Sequence, residues 1–358
     1  MTRTRQMIEE EIQMNPVLKR MFMSWKEEDR EEFLDVCTGV KGVKMLYDSY
    51  FKEIMNPEYD AERLNDFLSL LLNQKVCIKE VLPGDSTRLA DESSLLIMDI
   101  LVELEDGTLA NLEVQKIGYK FPGQRSACYS ADLLLRQYKR IRDQKKRSKK
   151  QFSYKDIQDV YVIVLFERSP KEFRLLPDTY RHYVQYCADT GVKIRMPQKF
   201  MFFALDVFRE KQDNEDVTIH DKFEAWLTFL CRDEPEKIIQ LIELYPEFKP
   251  LYEDIYELCR NTEKVMGMFS RELLELDRNT VKLMIDEMQD EVDELIKERD
   301  EAAKERDEIT KERDEITKEC DEITKERDEA VKERDAYLKA CEEKDREIEE
   351  LKRRLEKV

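Results

Sequence analysis

From Lys297 onward the chain repeats every seven residues: KERDEAA, KERDEIT, KERDEIT, KECDEIT, KERDEAV. A period of seven returns side chains to one face after two helical turns, so this tail reads as helix and adds nothing to a globular fold. One register runs unbroken from Ile285 to Val358. One seam position carries Ile285 and Val292, then Arg299, Arg306, Arg313, Cys320, Arg327 and Arg334, then Cys341, Ile348 and Leu355. The other carries Met288, Leu295, Ala302, Ile309, Ile316, Ile323, Ala330, Tyr337, Lys344, Leu351 and Val358. The pattern predicts a left-handed coiled coil over residues 284–358 that joins copies of the chain into a homo-oligomer. Arginines in mid-seam make it weak, and a single solvated helix held by Glu-to-Lys pairs is the alternative.

A packed core must therefore lie before the tail, where all ten prolines, both tryptophans and nearly all aromatic residues are found. The net charge of −19 argues against indiscriminate nucleic-acid binding, but much of the acidic excess sits in the tail, so local patches decide the partners. Eight scattered cysteines show no C-x-x-C pair and follow no secretory leader, which favours reduced thiols and a cytoplasmic setting. No stretch approaches the roughly 20 apolar residues of a membrane span.

Residues 1–73 read as helices, with apolar positions three and four apart in MIEEEIQMNPVLKRMFMSW, REEFLDVCTGV and DAERLNDFLSLLL, broken at Pro16, Gly39 with Gly42, and Asn56-Pro57. Strands are expected at 75–82, 94–104, 109–117, 159–167 and 200–208, with an amphipathic helix at 125–142. Helix, three strands, helix, strand indicates a mixed α/β sheet with a helical crossover. Residues 221–279 read as a helical subdomain carrying Trp226 and Phe229.

The run IMDILVELEDGTLANLEVQ has the build of a core hairpin, yet it places Asp99, Glu113 and Gln115 where apolar residues belong. A two-residue turn at Asp106-Gly107 would pair Asp99 with Val114 and send Asp99 and Glu113 to opposite faces. A three-residue loop, Glu105-Asp106-Gly107, with Gly107 left-handed, instead pairs Leu104 with Thr108 and Asp99 with Glu113. In that register Asp99, Asn111, Glu113 and Gln115 share a face. Two opposed carboxylates repel unless a cation lies between them, and hard oxygen ligands suit Mg²⁺ or Mn²⁺. An ordinary polar-edged hairpin is the plainer reading.

The wider run DESSLLIMDILVELEDGTLANLEVQKIGYKFPGQRSACYSADLLLRQYKR resembles the PD-(D/E)XK nuclease family transposases, related to the recombination-promoting nucleases. The resemblance covers about Tyr47 to Phe229 and includes FKEIM, ERLNDFLSLLL, the E-x-Q element, Arg125 with Tyr129, and WLTFL. It implies a restriction-endonuclease-like α/β core with flanking helices, and DNA phosphodiester hydrolysis. By the same resemblance Asp99 and Glu113 match the metal-binding acidic pair, the Val114 carbonyl lies where a backbone ligand is usual, and Gln115 occupies the lysine position. Arg125 and Tyr129 match the helix that faces the site. Met98 replaces the motif's proline, which makes no chemical contact; Gln115 replaces its lysine with an amide that brings no charge. E-x-Q is the form typical of this subgroup. Glu62 is a further candidate carboxylate.

KRIRDQKKRSKK, residues 139–150, concentrates positive charge, and Lys139, Arg140, Lys145, Lys146 and Arg147 are candidate phosphate contacts to DNA, against a solvated loop as the alternative. GVKG at 39–42 lacks the context of a phosphate clamp and reads as helix punctuation. His182 and His220 have no paired spacing, which disfavours histidine catalysis or a zinc site. The expected organisation is a helical segment at 1–46, a nuclease-like domain at 47–210, a helical subdomain at 211–283 and the coil. The expected function is metal-dependent DNA endonuclease; the rival is a nuclease scaffold without turnover, used for interaction or DNA binding.

Overall fold

Asn15 ends one helix and caps the next, its side-chain oxygen accepting from the N–H groups of Val17 and Leu18, with Pro16 in the first turn where no hydrogen bond is lost. Such breaks divide the N-terminal region of the computed structural model into α1 (Arg5–Met14), α2 (Pro16–Ser24), α3 (Glu27–Thr38), α4 (Asp48–Ile54) and α5 (Ala61–Leu72). The structure describes residues 3–82, 99–116, 122–192, 194–214 and 219–355, with backbone alone for 275–287, 290, 291 and 355.

Strands β1 (Ile78–Leu82), β2 (Ile100–Leu104) and β3 (Leu109–Gln115) form an antiparallel meander. Helix α6 (Pro122–Arg147) then crosses over to β4 (Val160–Phe166), which lies parallel to β3. After the short α7 (Lys171–Arg174) come an edge strand β5 (Arg181–Tyr183) and β6 (Gln198–Ala204), the latter parallel to β4. The six-stranded mixed sheet has the order β1-β2-β3-β4-β6-β5. A parallel pair joined through a helix is the connection such strands require.

Two expectations shift. The apolar run at 200–208 is strand only as far as Ala204; Leu205, Val207 and Phe208 are buried on a helix, α8 (Leu205–Asn214). The helix expected at 125–142 continues to Arg147, so most of the basic run lies on its last turns, where cations complement the carbonyl end of the helix. Residues 94–98, including Met98, and residue 117 lie outside the described residues.

Alternation along the strands gives the sheet two different faces. Ile100, Val102, Leu104, Ala110, Leu112, Ile163 and Leu165 point into a core that extends from Ile8 to Phe269. It takes in α9 (Lys222–Cys231), α10 (Pro235–Leu244), α11 (Lys249–Cys259) and the start of α12 (Thr262–Leu355). Each fully buried phenylalanine there, such as Phe33, Phe67 and Phe203, stabilises the fold by about 1.5–3 kcal/mol. Trp226 donates to Asp66 at 2.7 Å and Trp25 to Ser270 at 3.1 Å, so N-terminal helices and those after the sheet share one core. Leu101, Leu109, Val160, Val162, Val164 and Phe166 point the other way and pack with Tyr129 and Leu133 of α6. The candidate site lies on that α6 face.

The chain divides into two compact units, Met1–Met284 and Ile285–Val358. The second is helix throughout its described residues, and its seam residues Ile309, Ile316 and Ile323 are exposed. Among the described residues no helix is long and apolar enough to cross a membrane.

Candidate active site

The hairpin turn sets the geometry. Gly107 has a φ of 86°, its N–H donates to the Leu104 carbonyl at 2.9 Å, and the Leu104 N–H donates to the Thr108 carbonyl at 2.9 Å. This is a three-residue loop closed by a left-handed glycine, the arrangement that adds one residue to a tight hairpin. Ile100 consequently lies opposite Leu112, and Leu101 opposite Asn111. The two-residue turn is excluded.

One step further, Asp99 meets Glu113. The Asp99 N–H donates to Glu113 Oε1 at 3.2 Å, and Asp99 Oδ2 accepts from the Val114 N–H at 2.8 Å. Asn111 Nδ2 donates to the same Glu113 oxygen at 2.9 Å. Asn111, Glu113 and Gln115 are 0%, 2% and 6% exposed, and the Asp99 side chain is 13% exposed. Burial pushes Asp99 well above the usual carboxylate range, and the neighbouring Glu113 and Asp48 add to it while Lys52 opposes it. Burial also raises Glu113, against the hydrogen bonds from Asn111 and the Asp99 N–H and the charge of Arg125. The cause in both cases is a negative charge with too little solvation.

Lys52, a residue the sequence reading passed over, supplies part of the compensation. Its ammonium lies 2.8 Å from Asp48 Oδ1, four residues back on α4, and 3.1 Å from Asp99 Oδ1. Burial disfavours its charge, but Asp99 and Asp48 hold its pKa above the ordinary lysine value. The signal in the sequence was the spacing of Asp48 and Lys52 around Tyr50 and Phe51, which is common to many helices. Glu62 is exposed at the start of α5, and Asp48, on α4, is the carboxylate that shares Lys52 with Asp99.

The next lysine along β3 does not substitute for Gln115. Lys116 Nζ is paired with the buried Glu272 and lies 3.7 Å from the Tyr47 ring centroid. On α6, the Arg125 guanidinium donates to the hydroxyl of buried Tyr129 at 2.8 and 3.1 Å, and its charge favours ionised Glu113. Arg140 is engaged by Glu80 at 2.9 Å and Glu103 at 2.6 Å, and Lys145 by Asp156 at 2.8 Å. Lys139, Lys146 and Arg147 are exposed.

The residues present fit a hard divalent cation. Gln115 Oε1 and Asn111 Oδ1 are buried oxygen acceptors without a hydrogen-bond partner, beside two carboxylates whose ionisation burial opposes. Among the described residues no group of three or more His, Cys, Asp or Glu side chains could hold a metal. Two carboxylates completed by water and substrate phosphate are the usual complement for Mg²⁺.

A family model described as PD-(D/E)XK nuclease family transposase matches residues 45–285. The chain belongs to that family. No curated protein and no solved structure matches it. The matched span of this PD-(D/E)XK nuclease family member starts just before α4, which carries Lys52, includes the whole sheet, and reaches the early part of α12. The family supports a nuclease-like function with DNA as substrate.

Proposed function

We propose that the chain is a Mg²⁺- or Mn²⁺-dependent DNA endonuclease of the recombination-promoting type, acting in the cytoplasm, with residues 47–210 as its nuclease domain. The observation that carries the reading is the buried Asp99–Glu113 pair, cross-bonded through the backbone and accompanied by the unpartnered oxygens of Asn111 and Gln115. Asp99, Glu113 and the Val114 carbonyl would hold the cation. When bound, it supplies the positive charge that acidifies a water and shields the phosphate. The water oxygen forms a new bond to phosphorus as its proton passes to solvent, the phosphorus–oxygen bond to the leaving alkoxide breaks, and the alkoxide takes a proton from solvent. Gln115 orients the water through its amide, and Arg125 binds a non-bridging phosphate oxygen. Lys52 places a fixed positive charge beside Asp99, in a site whose motif position offers only an amide. Lys139, Lys146 and Arg147 contact the DNA backbone, joined by Arg140 and Lys145 where their internal pairs exchange. The tail pairs two such domains as a coiled coil, so that each active site cuts one strand of a duplex.

The test is incubation of purified protein with supercoiled plasmid, with Mg²⁺, Mn²⁺ or chelator, beside Asp99→Ala and Glu113→Ala. Metal-dependent nicking lost in both variants is expected. The scaffold reading is favoured by the Lys52–Asp99 ion pair, which satisfies part of the acid charge without a metal. It requires that wild type never cuts.

A further inference from the structure

At the far end of α6 three aromatic rings meet on the surface beside the basic run. Phe152 packs edge-on against Tyr138 and Tyr154, with centroids 5.2 and 5.4 Å away, while the rings of Tyr138 and Tyr154 lie within 17° of parallel at 6.5 Å. Tyr154 is 78% exposed, and Tyr138 and Phe152 are half-buried beside it. The Arg142 guanidinium lies 6.0 Å from the Tyr138 centroid. Along the same stretch of chain Lys139, Lys146, Arg147, Lys149 and Lys150 are exposed, and among the described residues no carboxylate pairs with them. This is a concentrated positive surface on a chain of net charge −19.

We infer that Tyr138, Phe152 and Tyr154, framed by the lysines and arginines at the end of α6, form a platform on which unpaired bases of a DNA strand stack; this rests on the nuclease reading for the identity of the ligand. Ring faces and phosphate-matching cations together are what single-stranded nucleic acid requires, since every base has a π-face and every linkage a negative charge. A duplex satisfies its base faces internally and can use only the cations. Acidic surface elsewhere repels a polyanion, which directs it to this patch. One of its rings, Tyr138, lies on the same helix as Arg125, about 20 Å further along at 1.5 Å per residue. That distance corresponds to about six nucleotides at the 3.4 Å spacing of a B-form strand. The favoured substrate is therefore a duplex with an unpaired segment about six nucleotides from the scissile phosphate.

The experiment measures fluorescence anisotropy of short labelled DNAs with the full chain carrying Asp99→Ala, in chelator, on blunt duplex, tailed duplex and single strand. Tailed duplex and single strand should bind about tenfold more tightly than blunt duplex. Adding Phe152→Ala and Tyr154→Ala should remove that advantage and change blunt-duplex binding less than about twofold, whereas Tyr154→Trp, which keeps a ring, should retain it. Equal affinity for tailed and blunt DNA overturns the platform. So does an equal loss on all DNAs in the double variant, which would mean that the rings only pin residues 148–157 to α6, or a preference for RNA of the same sequence. No cutting is involved, so absence of nicking by the wild type would count against the nuclease reading and leave this result standing.

Discussion

Asp99 and Glu113 hold each other across the strand pair: the Asp99 N–H donates to Glu113 at 3.2 Å, and the Asp99 carboxylate accepts from the Val114 N–H at 2.8 Å. Each acid is thus fixed by the backbone beside the other one. The bonds hold two groups of like charge together in a place where burial alone would neutralise them.

Conservative amides separate charge from shape. Asn at 99 still offers an oxygen to the Val114 N–H, and Gln at 113 one to Asn111 and the residue-99 N–H. Asp99→Asn and Glu113→Gln should each lower plasmid nicking at least about hundredfold, the scale of losing one electrostatic group from an active site. Their melting temperatures should stay within a few degrees of wild type. Residual nicking above a tenth of wild type in either would remove that acid from the chemistry.

Register depends on Gly107. A Cβ there would meet only Gln158 Cγ at 3.5 Å, an ordinary contact, so the cost of a side chain is the left-handed backbone at φ 86°. Gly107→Ala should lower stability by about 1–2 kcal/mol, and Gly107→Asn by less, because Asn tolerates that region. Urea unfolding of the three proteins checks the order. Equal midpoints for Ala and Asn would mean that the turn relaxes.

The turn shows why part of the site could be read in the sequence. Glu-Asp-Gly followed by alternation dictated either of two registers, and only one put Asp99 beside Glu113. Local chemistry was enough to pose the choice, and the glycine's conformation made it. Lys52 was not legible in the same way, because its role depends on where α4 lies against the end of β2, a tertiary fact with no local signature. The fold followed the same division. Val160–Phe166, buried on both faces, was plain as a strand, whereas Phe200–Phe208 changes from strand to helix at Leu205 without a breaking residue. The long reach of α6 was hidden for a related reason: a basic run is equally compatible with a loop and with the carbonyl end of a helix.

Proton and metal compete for the acid pair. Burial raises both carboxylates above their unfolded values, so the native state holds more protons than the unfolded chain as pH climbs past the ordinary carboxylate range. Without metal, the pair's contribution to stability is complete below that range and is lost as pH rises through the raised native values. With metal, the sign reverses, because binding needs the ionised pair. The stabilisation by Mg²⁺ at a hundred times Kd, at most ~2.7 kcal/mol, should therefore grow as pH climbs above the ordinary carboxylate range. Thermal scans across those pH values, with Glu113→Gln as control, measure it. An increment independent of pH, or undiminished in the variant, would place the cation elsewhere.

Lys52 makes a different prediction from a simple phosphate contact. Its ammonium joins Asp48 and Asp99, so Lys52→Met leaves two acids facing a third with less compensation and raises the protonation of Asp99. At neutral pH the nicking rate should fall about tenfold to hundredfold and recover in part at higher pH, with KM for DNA changed less than about threefold. Lys52→Arg should keep most of the rate. A rise in KM with kcat and the pH profile unchanged would make Lys52 a substrate contact instead.

The proposed pairing of two tails would bring two active sites together. Ile309, Ile316 and Ile323 recur every seven residues and are exposed, while Arg306, Arg313 and Arg327 occupy the companion seam position. Apolar groups alternating with cations give a seam that closes only when chain concentration is high or acidic neighbours fold over the arginines. Light scattering of the full chain should show a mass that rises with concentration, and Ile309→Lys, Ile316→Lys and Ile323→Lys together should hold it at the monomer. Loss of the dimer should convert plasmid linearisation into nicking, since one site then meets one strand at a time. A monomer at every concentration would make the tail a single solvated helix stabilised along its length by pairs of opposite charge.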